Sequence, residues 1–349
     1  MNRPIHGGNL AWASAWAGCS PEAILDFSAS INPLGPPQSA IAAIERGLEA
    51  LRAYPDPDYS RLRAALAAVH GIDPKWVLPG NGSAELLTWA GWEFSQQEST
   101  ALVIPAFSDY GRALGVFGAK VVDYPLSLPH CPLPAFVTGR GRGLLLNNPH
   151  NPTGQLWTRA EILPYLAEFE LVVVDEAFMD FLPRDRAQSL VEVVGEYPNL
   201  VVLRSLTKFY SLPGLRLGYA IAHPDRLQRW QQWRDPWPVN VLAAFAGEAV
   251  VGDREFVRQT LKWLEGAKRE LHQGLRDIAG LYPLEGAANY LLVRTEGSSS
   301  QLQQKLLQNH RILIRDCLSF PELRDRYFRI AVRTPSENQR LLDALASEV

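Results

Sequence analysis

Ser205-Leu-Thr-Lys208 sets a lysine amine three residues after a hydroxyl, and Arg216 follows eight residues later in Pro-Gly-Leu-Arg-Leu-Gly. A lone lysine in a loop after a strand is usually a solvated charge. A serine and an arginine flanking it at this spacing can grip one phosphate, because the planar guanidinium fork matches a dianion. Upstream, Val174-Asp175-Glu176-Ala-Phe178 ends an apolar run on a carboxylate. A carboxylate is costly to bury unpaired, so Asp175 is a helix cap, a structural ion pair or the partner of a protonated ring nitrogen. Asn147-Asn-Pro-His-Asn151-Pro-Thr-Gly154 is a Pro/Gly turn after a strand, and Asn151 can donate to a ligand oxygen. Gly80-Asn-Gly82-Ser83-Ala-Glu85 opens an apolar helix, whose first backbone N–H groups form an anion site.

These groups need a frame to bring them together. Ala101–Ile104, Lys120–Val122, Gly143–Leu146, Leu171–Val174, Leu200–Leu203 and Leu217–Ile221 read as buried strands. Several lack polar alternation, as expected where both faces of a sheet are covered. Between them lie helix signals. Thr158-Arg-Ala-Glu161 and Ser336-Glu-Asn-Gln339 fit the capping box, and His223-Pro224 and Asp253 suit helix starts. Strands alternating with helices imply an α/β fold with a mostly parallel mixed sheet. The ends differ. A helix is expected from about Pro37 to Leu51, and a long helix from about Asp253 leads into strands at Tyr290–Val293, Ile312–Arg315 and Phe328–Val332. The expected division is a large domain over 51–250 and a smaller α+β domain built from 1–50 and 251–349.

The chain has 349 residues, 47% hydrophobic, which is more than one typical domain needs for a core. A net charge of −3 gives no electrostatic case for nucleic acid. No apolar run approaches the roughly 18–20 residues that span a bilayer, and Met1–Gly18 lacks the layout of a secretory signal. Three scattered cysteines suit a reducing cytoplasm, and the seven histidines show no metal-ligand spacing. Trp230, Trp233 and Trp237 fall at helix-like spacing and are expected in the core or a dimer interface. Glu176, Asp180 and Asp185 read as a strand end and solvated loop, Gly297–Ser300 as a surface loop, and Arg324-Asp-Arg326 as an exposed turn.

In this order, the four motifs resemble those of fold-type I pyridoxal-phosphate (PLP) enzymes of the class I/II aminotransferase family, over nearly the whole chain. The resemblance implies the aspartate aminotransferase-like fold. It implies that Lys208 holds PLP as a Schiff base, that Asp175 pairs with the pyridine nitrogen, and that Asn151 donates to the phenolic oxygen. It assigns the phosphate cup to Gly82, Ser83, Ser205 and Arg216, and the ring-stacking aromatic to Phe107. Tyr54, in Tyr-Pro-Asp-Pro-Asp, matches a tyrosine that reaches the phosphate from a neighbouring subunit, which implies a homodimer.

Within that family, two groups acting on phosphorylated amino compounds compete: threonine-phosphate decarboxylases of cobalamin biosynthesis and histidinol-phosphate aminotransferases. The opening His6-Gly-Gly-Asn9 and Asp26-Phe-Ser-Ala-Ser-Ile-Asn32-Pro-Leu-Gly resembles the decarboxylases. So does Phe178, where the aminotransferases usually have a tyrosine bonded to the ring oxygen. Ala84 replaces their usual Asp, and Arg333 their Gly. By resemblance, Arg329 and Asn32 hold the substrate carboxylate with Asn151 nearby, while His6 and Arg315 address its phosphate. Taken alone, both arginines would read as surface ion pairs. A remote alternative is a PLP-fold ligand sensor without catalysis, although the chain has no spare length for a DNA-binding domain.

Overall fold

The computed structural model describes residues 3–349. Its strands are β1 Leu25–Asp26, β2 Val77–Asn81, β3 Ser99–Ile104, β4 Val121–Pro125, β5 Gly139–Asn147, β6 Phe169–Asp175, β7 Leu200–Ser205, β8 Leu217–Ala222, β9 Leu281–Pro283, β10 Tyr290–Thr295, β11 Ile312–Leu313 and β12 Tyr327–Ala331. Seven form one sheet in the order β2-β8-β7-β6-β5-β3-β4. All its pairings are parallel except those of β8, which runs antiparallel to both β2 and β7. Every residue of β7 and β8 is buried. Helices cover both faces, so β-branched and leucine runs replace polar alternation.

The direction of β8 positions the site. The C-terminal ends of β2, β3, β5, β6 and β7 lie on one edge, and β8 starts there because it runs the other way. Asn81-Gly82, Pro105–Phe107, Asn147–Asn151, Asp175, Ser205–Lys208 and Arg216 therefore all emerge on that edge, where open α/β sheets bind ligands.

The remaining strands form a β12-β10-β9 antiparallel sheet and a parallel β1–β11 pair. An isolated antiparallel bridge joins Arg315 to Arg329. Phe27 N donates to Leu313 O at 2.8 Å and Ala331 N to Phe27 O at 2.8 Å, which ties the two small sheets together. The helix Arg254–Arg276 packs on the C-terminal helix Pro335–Glu348.

Several details correct the sequence reading. The last helix is capped by Thr334, whose side chain forms a capping box with Glu337, rather than by Ser336; Pro335 takes the first helical position, where its missing N–H costs nothing. Gly297–Ser300 is a helix start: Ser298 caps Ser299–His310, and Ser299 is buried. Asp325, expected in an exposed turn, accepts from Ser298, Ser299 and Ser300. Glu176 is buried against Arg204 at 2.8 Å, and Arg204 also holds Asp180. Trp230 is fully buried, but Trp237 lies beyond the helix Pro224–Trp233 and is exposed. No helix among the described residues is long and apolar enough to cross a membrane.

Candidate active site

One cavity of about 340 Å³ opens at the strand edge. His6, Ser83, Phe107, Asn151 and Asp175 line it, together with Ser205, Lys208, Arg216, Arg315 and Arg329. Residues assembled from across the whole chain thus face one space.

Asp175 closes β6 at the cavity floor. Its Oδ2 accepts from the Tyr110 hydroxyl at 2.9 Å, and its Oδ1 from Ala177 N at 3.0 Å. Burial pushes its carboxyl up to about 6, against these bonds. No lysine or arginine among the described residues is ion-paired with it, so the pocket offers a cation on a bound ring a ready partner.

Lys208 sits in the loop after β7. Burial, then the charges of Arg329 and Arg216, push its amine down to about 8. The folded state therefore favours the neutral amine, which dominates once the pH passes about 8, whereas an ordinary lysine stays protonated to about 10.5. Competitive acetylation of the cofactor-free protein, followed by peptide mass spectrometry, should show Lys208 half-reactive near pH 8; a midpoint near that of the exposed lysines would contradict this environment.

The anion cup lies at the mouth. Gly82 starts the helix Gly82–Ser95 with φ +73°, and an added Cβ would lie 2.7 Å from Arg216 Nη2. Gly218, the second residue of β8, approaches so closely that its Cβ would stand 2.4 Å from Ser83 N. Both positions need glycine for the helix N-terminus and Arg216 to converge. Ser205 Oγ and Thr207 Oγ1 are 2.7 Å apart on the neighbouring turn. Asn151 is oriented by its own N–H, which donates to Asn147 Oδ1 at 2.6 Å. Its Oδ1 accepts from Arg329, leaving Nδ2 as the free donor. Phe107 packs edge-on against Tyr110, with centroids 5.5 Å apart. A buried carboxylate, an amine held near neutrality, a glycine-built anion cup, a free amide donor and a flat aromatic fit a phosphorylated pyridine such as PLP.

On the far wall, Arg315 and Arg329 are both buried and exchange backbone hydrogen bonds at 3.0 and 2.8 Å. Among the described residues, neither meets a carboxylate. Arg329 donates to Asn151 and to Ser28 O, and its Nε has no acceptor. Arg315 donates to the Pro4 and Ile5 carbonyls and to Ser319 Oγ. His6 is held below its ordinary pKa by burial and by Arg315, and its Nδ1 lies 3.2 Å from Ser108 Oγ. A neutral imidazole there offers a hydrogen bond rather than a charge. Phe178 lines the cavity, edge-on to Tyr290 at 5.0 Å. The Tyr290 hydroxyl is taken by His150 O at 2.8 Å, so it does not stand in for a hydroxyl at 178.

Two expected residues lie elsewhere. Asn32 does not line the cavity: its Nδ2 donates to Phe209 O at 2.8 Å and Thr260 Oγ1 at 2.9 Å, and its Oδ1 accepts from Leu34 N. With its amide committed, it has no group left for a substrate carboxylate. Its backbone N–H donates to Lys208 O at 3.1 Å, so it braces the lysine loop instead. Tyr54 is 78% exposed, stacks on Trp237 at 4.3 Å and does not line this chain's own cavity. Tyr110 and Asn147 were not expected. Tyr110 stands one helical turn beyond Phe107, a spacing that could have pointed to it.

The model of the family "Aminotransferase class I and II" matches residues 22–345. The chain is 38% identical to a threonine-phosphate decarboxylase of Salmonella typhimurium, over 97% of this chain and 95% of that one. It is 32% identical to the adenosylcobalamin biosynthesis bifunctional protein CobDQ of Leptospira interrogans, over 99% of this chain but only 41% of that protein's length. Among solved structures, it superposes on histidinol-phosphate aminotransferase from Clostridium acetobutylicum with TM-score 0.86 and 28% identity, covering 93% of this chain and 98% of that one. For L-threonine-O-3-phosphate decarboxylase from Porphyromonas gingivalis the values are 0.83 and 26%, with coverage of 93% and 99%.

Proposed function

The chain belongs to the class I and II aminotransferase family, and from that premise we propose that it is a PLP enzyme removing the carboxylate of O-phospho-L-threonine in cobalamin biosynthesis. The products are (R)-1-aminopropan-2-ol phosphate and CO₂. The observation carrying this reading is the strand-bridged pair Arg315 and Arg329, both lining the Lys208 cavity and, among the described residues, neither paired with a carboxylate. A substrate bearing a carboxylate and a phosphate needs two such clamps; histidinol phosphate itself carries one anionic group, although the 2-oxoglutarate that an aminotransferase also takes carries two, so Phe178 in the cavity wall, without a hydroxyl for the ring oxygen, is the feature that favours the decarboxylase. The Salmonella and Leptospira relatives support the same reading through their names.

When bound, PLP supplies a ring that accepts the electron pair left at Cα. Lys208 would hold it; Asp175 would keep its nitrogen charged; Asn151 and Phe107 would fix the ring; and Gly82, Ser83, Ser205 and Arg216 would hold its phosphate. Arg329, with Asn151, grips the substrate carboxylate, and Arg315 with His6 grips the phosphate. Held at both ends, the substrate would take one orientation in the cavity, and that orientation would make its carboxylate the group lost as CO₂. Lys208 Nζ, which lines the same cavity, would return a proton to Cα in place of the lost CO₂. An amine pushed down to about 8 suits that task, because it gains and loses a proton near neutrality. Overall, one proton replaces one CO₂.

Tyr54, exposed beside Trp237, is read as reaching the phosphate cup of a neighbouring subunit, which makes the active unit a homodimer in the cytoplasm. Residues 51–250 form the unit carrying the cofactor groups, and 1–50 with 251–349 the one carrying the substrate arginines.

The test is incubation of the PLP-loaded protein with O-phospho-L-threonine and no keto acid, followed by mass spectrometry. Aminopropanol phosphate with CO₂ is expected, and O-phosphoserine alongside measures tolerance for loss of the methyl group. Conversion of histidinol phosphate that requires 2-oxoglutarate, with phosphothreonine untouched, would make the protein an aminotransferase. Bound PLP without turnover of either would leave a ligand sensor.

A further inference from the structure

We propose that Tyr110 is a positioning residue of this site, whose hydroxyl fixes on Asp175 the negative charge that keeps the cofactor ring nitrogen protonated. The inference rests on the PLP reading above and assigns a role to a side chain which that reading leaves without one.

Tyr110 is fully buried and donates to Asp175 Oδ2 at 2.9 Å. Ala177 N donates to the other oxygen at 3.0 Å, and Asn147 Nδ2 to the backbone carbonyl of Asp175 at 2.8 Å. The carboxylate therefore has one donor on each oxygen and one bond behind it, which fixes its plane. Tyr110 is itself fixed by the helix Ser108–Val116 and by edge-on packing against Phe107. One helical turn thus carries both the aromatic expected to stack on the ring and the donor to the ring's counter-charge.

The choice of a phenol has a chemical consequence. Burial and the Asp175 charge push the Tyr110 hydroxyl well above 10, so it stays a neutral donor and never an anion opposing Asp175. Asp175 is already pushed up by burial, and the Tyr110 bond is the largest influence in the other direction. Without it, the proton shared between ring and carboxylate moves toward the carboxylate, and the ring becomes a weaker electron acceptor. The other charges around Asp175 do not substitute. Asp109 on the helix of Tyr110 and Glu176, directly after β6, are carboxylates, the latter paired with Arg204. Tyr290 of β10 is bonded to His150 O. Lys208 is the residue that holds the cofactor, and Arg329 of β12 is engaged by Asn151 and Ser28.

The experiment reconstitutes wild type and Tyr110→Phe with PLP labelled with ¹⁵N in the ring, and reads the nitrogen chemical shift together with the pH profile of kcat/KM. In wild type the shift should be that of a protonated ring. In Tyr110→Phe it should move toward the unprotonated value, and the acid limb should move up by about one to two pH units, the size of one charge-assisted hydrogen bond. A space-filling role would move neither. If Tyr110→Phe does not fold, Tyr110→3-fluorotyrosine keeps the shape and makes a stronger donor, so the acid limb should move down. Unchanged nitrogen shift and acid limb in the variant that folds, with cofactor bound, overturn the role of Tyr110 alone. A wild type that binds no labelled cofactor overturns the PLP reading and this inference with it.

Discussion

Lys208→Ala should lose decarboxylation by at least about 10⁴-fold, the upper range for removing a proton-transfer group, and should lose the visible absorption of lysine-bound cofactor with it. Both losses are expected because one amine serves two roles, holding the cofactor and returning the proton to Cα. The fold should survive. Burial, Arg329 and Arg216 outweigh the attraction of Asp175 and Asp26 for the Lys208 amine, and among the described residues no ion pair of Lys208 is broken by its removal. Circular dichroism and melting temperature should therefore stay close to wild type. A variant retaining both turnover and the visible band would remove Lys208 from the mechanism.

Arg329→Met should lower kcat/KM for phosphothreonine by roughly 10²–10³-fold, since truncating a buried charged partner costs about 2–5 kcal/mol. Its signature is selective. The product lacks a carboxylate, so its inhibition constant should change only a few-fold. Arg315→Met, by contrast, should weaken substrate and product alike, because both carry the phosphate. If Arg329→Met weakened product binding as much as substrate turnover, the two clamps would have been assigned the wrong way round. The two arginines sit opposite each other in one β-bridge, yet reach different neighbours: Asn151 for Arg329, the Pro4 and Ile5 carbonyls for Arg315.

Much of this was legible in the sequence for a local reason. Asp175, Asn151 and Lys208 lie at or just after the ends of continuous apolar runs, and such runs in an α/β chain become strands whose ends share one edge. β2 was harder to see, because Val77-Leu-Pro-Gly-Asn81 carries Pro and Gly; it pairs at the edge of the sheet, where a proline is tolerated. What stayed hidden depended on distant partners. Asn32 was read as a substrate ligand from its motif, but its amide is consumed by Phe209 and Thr260, 177 and 228 residues away. Glu176 looked solvated for the same reason, since Arg204 lies 28 residues on and reaches it only through the β6–β7 pairing. Tyr110 sits beside Phe107 on one turn, but nothing local says that its hydroxyl will meet a carboxylate 65 residues later.

The far wall bears on endurance as well as chemistry. Arg315 and Arg329 are buried within one bridge and have only neutral acceptors. Arg216 adds a third cationic group at the mouth of the same space. Like charges held together out of water oppose the folded state, and an anion that enters relieves them. Whatever binds the folded chain and not the unfolded one stabilises it by mass action. The protein is therefore at its least durable when empty, and the supply of phosphorylated ligands sets how long each molecule lasts as well as how fast it works.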